Sequence, residues 1–582
     1  MKLTSAWTLA ALAGLASAEK FVKLSFDKSV GSSYSESSKN PLQKRDFASD
    51  HGYAEFDLTN QQTFYSVNLR IGTPSQEVTV LVDTGSSDLW VMGSNNYFCS
   101  SNMNNFRELV KKEKRDEVTT VRITLSPENV NGGGDDNPFQ WLSEILPQIG
   151  GFGTATQTVG VGGGAFATGT SSGAIDCSQY GTFNESESST FKSNHTGFEI
   201  SYGDNSYASG VWGTDTLHIG SVNVSHVSIA VANYTNSTIG VLGIGLQGLE
   251  TTYSGGGFSN SYEYANFPIV LKDNGIIERV AYSLYLDEPD ASTGSILFGG
   301  IDHSKYKNGL YTVPLVNIYS QQGIRKPIEF DVTFYGIGIQ TESKNITIAQ
   351  TSIPALLDSG TTISYFPPSL LKLITAQLDA TYSSSLGYYT MDCVSEDDPT
   401  LLVFDFGGFH ITSPLADFQS QVSRSKCLLM MAAQADRIIL GDVFLQHAYV
   451  VYDLENLEIS MGQANFKNSS STDSIESIGT TVPSAVKAPL YSSTWVSTNM
   501  ISAGGNIFTN VVNVGTNNGN STISSVAKGS TSKGKTFTAT TTRSQSTSTT
   551  SSDEKKKNIA PVPYSINSIA IYSFVLFIAY LI

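Results

Sequence analysis

Val80-Leu81-Val82-Asp83-Thr84-Gly85-Ser86-Ser87 drives an apolar run into a turn that opens on a carboxylate, and Leu356-Leu357-Asp358-Ser359-Gly360-Thr361-Thr362 repeats the pattern in the second half of the chain. In each copy the hydrophobic run reads as a buried strand, the glycine lets the backbone reverse, and the flanking hydroxyls can hydrogen-bond a carboxylate oxygen. A single copy reads equally well as an Asp opening an ordinary hairpin turn, because such turns favour Asp and Gly. Average residue usage gives roughly 0.03 chance occurrences of Asp, Ser or Thr, Gly, Ser or Thr in a chain of this length. Two copies behind apolar runs therefore point to a duplicated unit, each half contributing one acid.

Two carboxyl groups brought face to face cannot both ionise cheaply, so one keeps a proton while the other is charged. Such a site holds a general base and a general acid together, and a water between them is a nucleophile that needs no covalent intermediate. The two motifs therefore predict peptide-bond hydrolysis. The seven histidines form no HExxH pair or close Cys/His cluster, and the glycine runs lack a Walker lysine, so neither metal nor cofactor is expected.

At 582 residues the chain exceeds one ordinary core, and two lobes with tails are expected. A net charge of −17 argues against nucleic acid and favours basic substrates, although an acidic surface also serves simply to keep a secreted protein soluble. Residues 1–18 contain Lys2, an apolar stretch from Trp7 to Ala13 and the small-x-small end Ala16-Ser17-Ala18, the pattern of a secretory signal peptide. Export would place the four cysteines in an oxidising compartment. Their spacing favours Cys99 with Cys177 and Cys393 with Cys427, one bridge in each lobe, among the three connectivities that four cysteines allow. Asn184, Asn194, Asn223, Asn233, Asn236, Asn345, Asn468 and Asn520 head Asn-x-Ser/Thr sequons and are expected at the surface as glycosylation sites.

Residues 19–45 are polar and end Gln43-Lys44-Arg45, as a pro-segment removed after a dibasic pair does. An amino-terminal lobe is expected over 46–285 and a carboxy-terminal lobe over 286–466, with short helices at Phe267 to Asn274 and Pro368 to Leu378. Between Cys99 and Cys177 the texture breaks into Lys111-Lys112, Lys114-Arg115 and glycine-rich runs, so 100–176 reads as a long inserted loop. The basic cluster is either a solvated face or a processing site, the second leaving two fragments joined by a disulfide. Residues 467–557 are dominated by Ser, Thr, Asn and Gly and read as an O-glycosylated stalk. An apolar run from Ile566 to Ile582 follows with no basic residue behind it, which favours a GPI-attachment signal over a retained transmembrane anchor. Asn558 is the candidate attachment residue, with 559–582 as the removed propeptide.

Further residues complete a pattern. Phe198 to Ser206 alternates as a strand and turns at Tyr202-Gly203-Asp204, and Gly240-Val241-Leu242-Gly243 is matched by Ile438-Ile439-Leu440-Gly441 in the other half. With the two Asp motifs, these resemble a pepsin-type aspartic protease over roughly Phe56 to Phe466. The cysteine-bounded insertion, stalk and anchor signal make the chain similar to the yapsins, GPI-anchored fungal members of that family.

The resemblance implies a mostly β, bilobal fold with a central cleft, Asp83 and Asp358 on its floor as the catalytic pair. It implies that Ser86 and Thr361 bond the outer carboxylate oxygens, that Gly85 and Gly360 approach the dyad through backbone amides, and that Tyr202 on a flap bonds toward Trp90. Gly203 and Asp204 would touch substrate, and cleavage at Lys or Arg, single or paired, is implied. Asp204 is a chemically sensible partner for a basic side chain entering the cleft; its plainer role is to support the turn. A monomer is expected, at the cell surface or in the wall, processing or shedding precursor and surface proteins. The competing expectation is a surface-anchored binding or wall protein that kept the fold without the chemistry.

Overall fold

The computed structural model describes residues 21–27, 58–60, 65–99, 175–202, 206–219, 222–253, 261–289, 291, 293–435, 437–466 and 474–509. The chain divides into two compact units, Met1–Ser94 with Cys177–Ile582, and Asn95–Asp176. The smaller unit coincides with the cysteine-bounded insertion. Of it, only 95–99 and 175–176 are described, tied by a bond from the Ile175 N–H to the Phe98 carbonyl. The basic cluster and the glycine-rich runs lie outside the described residues.

In the larger unit, Tyr65–Ile71 and Gln76–Asp83 form the expected hairpin, with Val67 opposite Val80 and Leu69 opposite Val78. Gln76–Asp83 starts partly exposed and ends fully buried, because Gly240–Gly243 joins its far edge in parallel, Val80 opposite Gly240 through Asp83 opposite Gly243. A strand flanked on both edges and covered on both faces needs a continuous apolar run, which Val80, Leu81 and Val82 supply. An eight-stranded sheet results, its remaining members including Leu89–Met92, Val222–Thr235, Tyr207–Ile219 and Lys192–Ser201.

The second half repeats this arrangement. Asn345–Leu357 lies between antiparallel Asp331–Gln340 and parallel Ile438–Leu440, Leu357 opposite Leu440. The expected helices are present as Phe267–Asp273 and Pro368–Gln377, their Val270, Leu271, Leu370, Leu371 and Ile374 turned into the core.

A seven-stranded sheet is shared between the halves. Ala281–Tyr285 pairs with Ala448–Asp453, so the boundary expected at 285/286 falls inside a sheet to which both sides contribute strands. Its outer edge is Val22–Asp27, from the expected pro-segment, antiparallel to Thr293–Phe298, with Phe21 and Val22 buried. The Cys393–Cys427 bridge joins Lys426–Leu429 to the end of Tyr388–Asp392, at a Cα–Cα distance of 4.9 Å. Cys99 and Cys177 are disulfide-bonded as well, and no cysteine is free.

The stalk expectation requires correction. Residues 474–509 form a strap on the second lobe. Ile475–Ser477 pairs with Gly300–Asp302, Ala485–Lys487 runs parallel to Leu310–Thr312, and Met500–Ala503 pairs with Ala349–Ser352. Ile478, Val482, Ala488 and Ile507 are buried, and the Tyr335 hydroxyl donates to the Ser493 carbonyl. Sequon exposure is likewise mixed: Asn194, Asn223 and Asn345 are exposed, while Asn184, Asn233 and Asn236 are half-buried. Asn236 Oδ1 accepts the Tyr207 N–H at 2.9 Å, closing a hairpin. Asn468, Asn520 and Asn558 lie outside the described residues. Among the described residues, no helix is long and apolar enough to cross a membrane.

Candidate active site

Each apolar strand ends by turning its aspartate into the same buried spot. Asp83 Oδ1 accepts the Gly85 N–H at 2.7 Å and its Oδ2 accepts the Ser86 hydroxyl at 2.5 Å. Asp358 Oδ1 accepts the Gly360 N–H at 2.9 Å and its Oδ2 accepts the Thr361 hydroxyl at 2.7 Å. The two carboxyl groups lie close enough for each to act on the other's ionisation, and both residues are fully withdrawn from solvent. A side chain at Gly85 would put its Cβ 2.6 Å from Asp358 Oδ1, so each turn needs glycine to let the opposite acid approach.

Two further hydroxyls lock the turns together, whereas the sequence reading offered the hydroxyls flanking each glycine only to the carboxylate oxygens. Thr84 Oγ1 donates to the Leu357 carbonyl at 3.0 Å and accepts the Ser359 N–H at 2.9 Å, while Ser359 Oγ donates to the Val82 carbonyl at 3.1 Å. Their signal was present: a hydroxyl residue follows the aspartate in both motifs. This lock fixes the separation of the acids without using their own oxygens.

Burial raises both aspartates, and the charge of Asp358 raises Asp83 further, to about 8. For Asp358, the Thr361 hydroxyl, the Gly360 amide, Asp83 and the Arg437 cation oppose the effect of burial. One proton shared between the acids is the state this environment favours.

Trp90 Nε1 donates to the Tyr202 hydroxyl at 2.7 Å, joining the strand beyond the first turn to the base of the expected flap. Gly203 and Asp204 lie outside the described residues. Just past the first motif, Asp88 anchors a cluster missing from the sequence reading. Asp88 Oδ1 accepts the Tyr264 hydroxyl at 2.7 Å and its Oδ2 accepts the Thr251 N–H at 2.9 Å. Glu250 Oε2 accepts the Tyr264 N–H at 2.8 Å. Burial pushes Asp88 up to about 6 and Glu250 up to about 9. Only the position of Asp88, just past the first motif, hinted at this in the sequence.

The profile of the family described as "Eukaryotic aspartyl protease" matches residues 64–464. The chain belongs to that family. It is 51% identical to "Aspartic proteinase 3" of Saccharomyces cerevisiae over 88% of this chain and 89% of that protein. It is 47% identical to "Aspartic proteinase MKC7" of the same yeast, over 86% and 82%, and 43% identical to its "Aspartic proteinase yapsin-3", over 84% and 82%. The yapsin-like, pepsin-type reading of the fold therefore stands, and the protein is an aspartic endopeptidase acting on protein or peptide substrates. A fold kept without the chemistry is set aside on these relationships.

Proposed function

We propose that Asp83 and Asp358 are the catalytic pair and hold one water between them, the ionised acid taking its proton as the protonated acid polarises the scissile carbonyl. The observation that carries this reading is the pair of buried carboxyl groups, each held by a matching hydroxyl and amide and each lying against the glycine of the opposite turn. Ser86 and Thr361 orient the outer oxygens, Gly85 and Gly360 give the inner ones their amides, and Tyr202 is steadied by Trp90. Asp83→Asn and Asp358→Asn are each expected to lower kcat/KM about a thousandfold. Cleavage by either variant within tenfold of the parent, inhibited alike by pepstatin, refutes the assignment.

Cleavage is proposed at Lys or Arg, single or paired, with Gly203 and Asp204 at the substrate. The net charge of −17 supports this preference, as does the need of a desolvated cation for a carboxylate. Asp204→Ala is expected to reduce cleavage after Lys and Arg while sparing cleavage after Leu or Phe; equal loss on both refutes the role. The proposed setting is the cell surface, reached through secretion and GPI attachment at Asn558, where the enzyme processes or sheds precursor and surface proteins and serves wall maintenance. The apolar run from Ile566 to Ile582 supports the anchor, and release of activity from intact cells by phosphatidylinositol-specific phospholipase C tests it.

A further inference from the structure

The sheet that delivers Asp358 contains a buried ion cluster at positions that are uncharged in its counterpart. Arg437 stands just before strand Ile438–Leu440, and its guanidinium donates to Asp331 Oδ2 at 2.9 Å and to Glu329. Asp331 opens the strand on the other side of Asn345–Leu357, where it lies opposite Leu356, and Ile438 lies opposite Ala355. The arginine therefore bridges across the strand that ends one residue before Asp358. The side chains of Arg437, Glu329 and Asp331 are only 11%, 4% and 0% exposed, and the Tyr319 hydroxyl donates to Glu329 at 3.1 Å.

The other lobe is an internal control. There Ser66 lies opposite Leu81, as Asp331 lies opposite Leu356, and Ile239 precedes Gly240–Gly243, as Arg437 precedes Ile438–Leu440. Both are buried and neither is charged. Taking an ion cluster out of water costs enough that apolar residues would serve stability as well or better. The charges on one side therefore call for a role other than packing.

We propose that Arg437, held by Glu329 and Asp331, is a positioning residue that keeps Asp358 ionised and leaves the shared proton on Asp83. The inference rests on the dyad proposed above. Arg437 is among the groups that favour ionised Asp358, whereas among the described residues the groups acting on Asp83 include no cation. Asp358 faces Asp83 from the other lobe and Tyr452 from strand Ala448–Asp453, with Asp442 also acting on Tyr452. Arg437 faces Asp331, Glu329 and Tyr319. Burial keeps both phenols neutral throughout the acid range, so they contribute no charge to the asymmetry.

The test is the pH profile of kcat/KM on a Lys-Arg peptide for R437Q, R437K and E329Q. Removing the cation favours protonated Asp358, so R437Q is expected to move the acid limb up by about 0.5–1 pH unit. E329Q leaves the cation less compensated and moves the limb down, and R437K keeps the parental profile. A uniform loss of activity at every pH in R437Q, or shifts of the same sign in R437Q and E329Q, overturns the proposal. Should R437Q fail to fold, an unmoved limb in E329Q overturns it alone. Failure of the dyad assignment is distinguishable, since it leaves Asp83→Asn or Asp358→Asn active.

Discussion

Replacing Ile478 by alanine distinguishes a packed strap from a solvated stalk. Ile478 is fully buried among Tyr285, Ile301, Leu310, Tyr449 and Val451, and its N–H donates to the Gly299 carbonyl at 2.8 Å. The substitution deletes three carbons, worth about 2.4 kcal/mol at about 0.8 kcal/mol each, and the residual cavity raises the expected loss to about 3–4 kcal/mol. Val496 in the same strap is 76% exposed, and Val496→Ala should cost less than about 0.5 kcal/mol. Urea unfolding of the secreted protein ending at residue 509, followed by tryptophan fluorescence at mildly acid pH, measures both. The variants should differ in midpoint at an unchanged slope. A loss below about 0.5 kcal/mol for Ile478→Ala, equal to that of Val496→Ala, refutes the packing argument.

Thr84→Val strips both bonds of one locking hydroxyl and leaves the buried Ser359 N–H and Leu357 carbonyl short of a partner, an expected loss of about 2–4 kcal/mol by the same unfolding assay; less than about 1 kcal/mol would show that the lock carries no load. Asp88 has a folded-state pKa of about 6, above the usual carboxylate value, so the folded protein retains a proton that the unfolded chain releases. Its contribution is therefore complete below about pH 4 and lost as pH rises through about 6, at most about 3 kcal/mol in all. Asp88→Asn cannot titrate and should flatten the fall in melting temperature between pH 4 and 7; an undiminished slope argues against Asp88 as its source.

The dyad was legible because each half of it is local. An apolar run, an acid, a glycine and two hydroxyls occupy consecutive positions, and the strand and turn follow from those residue types alone. The Trp90–Tyr202 bond became legible only through the family pattern, since 112 positions separate the partners. Arg437, Glu329 and Asp331 gave no such signal: each is an ordinary charged residue in sequence, and only the register of three neighbouring strands brings them together. The strap was misread because composition averages over a window. Ile478, Val482 and Ile507 are scattered singly among polar residues, and edge strands need backbone hydrogen bonds that composition does not register.

The last strap strand has a mechanical consequence. Met500–Ala503 is bonded to Ala349–Ser352, within the same strand that ends beside Asp358. A tug on the chain beyond Thr509 therefore bears first on Ile507, whose N–H donates to Thr347 and whose carbonyl bonds the His410 ring, and then on that four-residue ladder, and both must give way before force can pass back to the inner strap strands. The ladder is both a fuse and a coupling: tension too weak to break it is transmitted to the strand that carries one of the two acids.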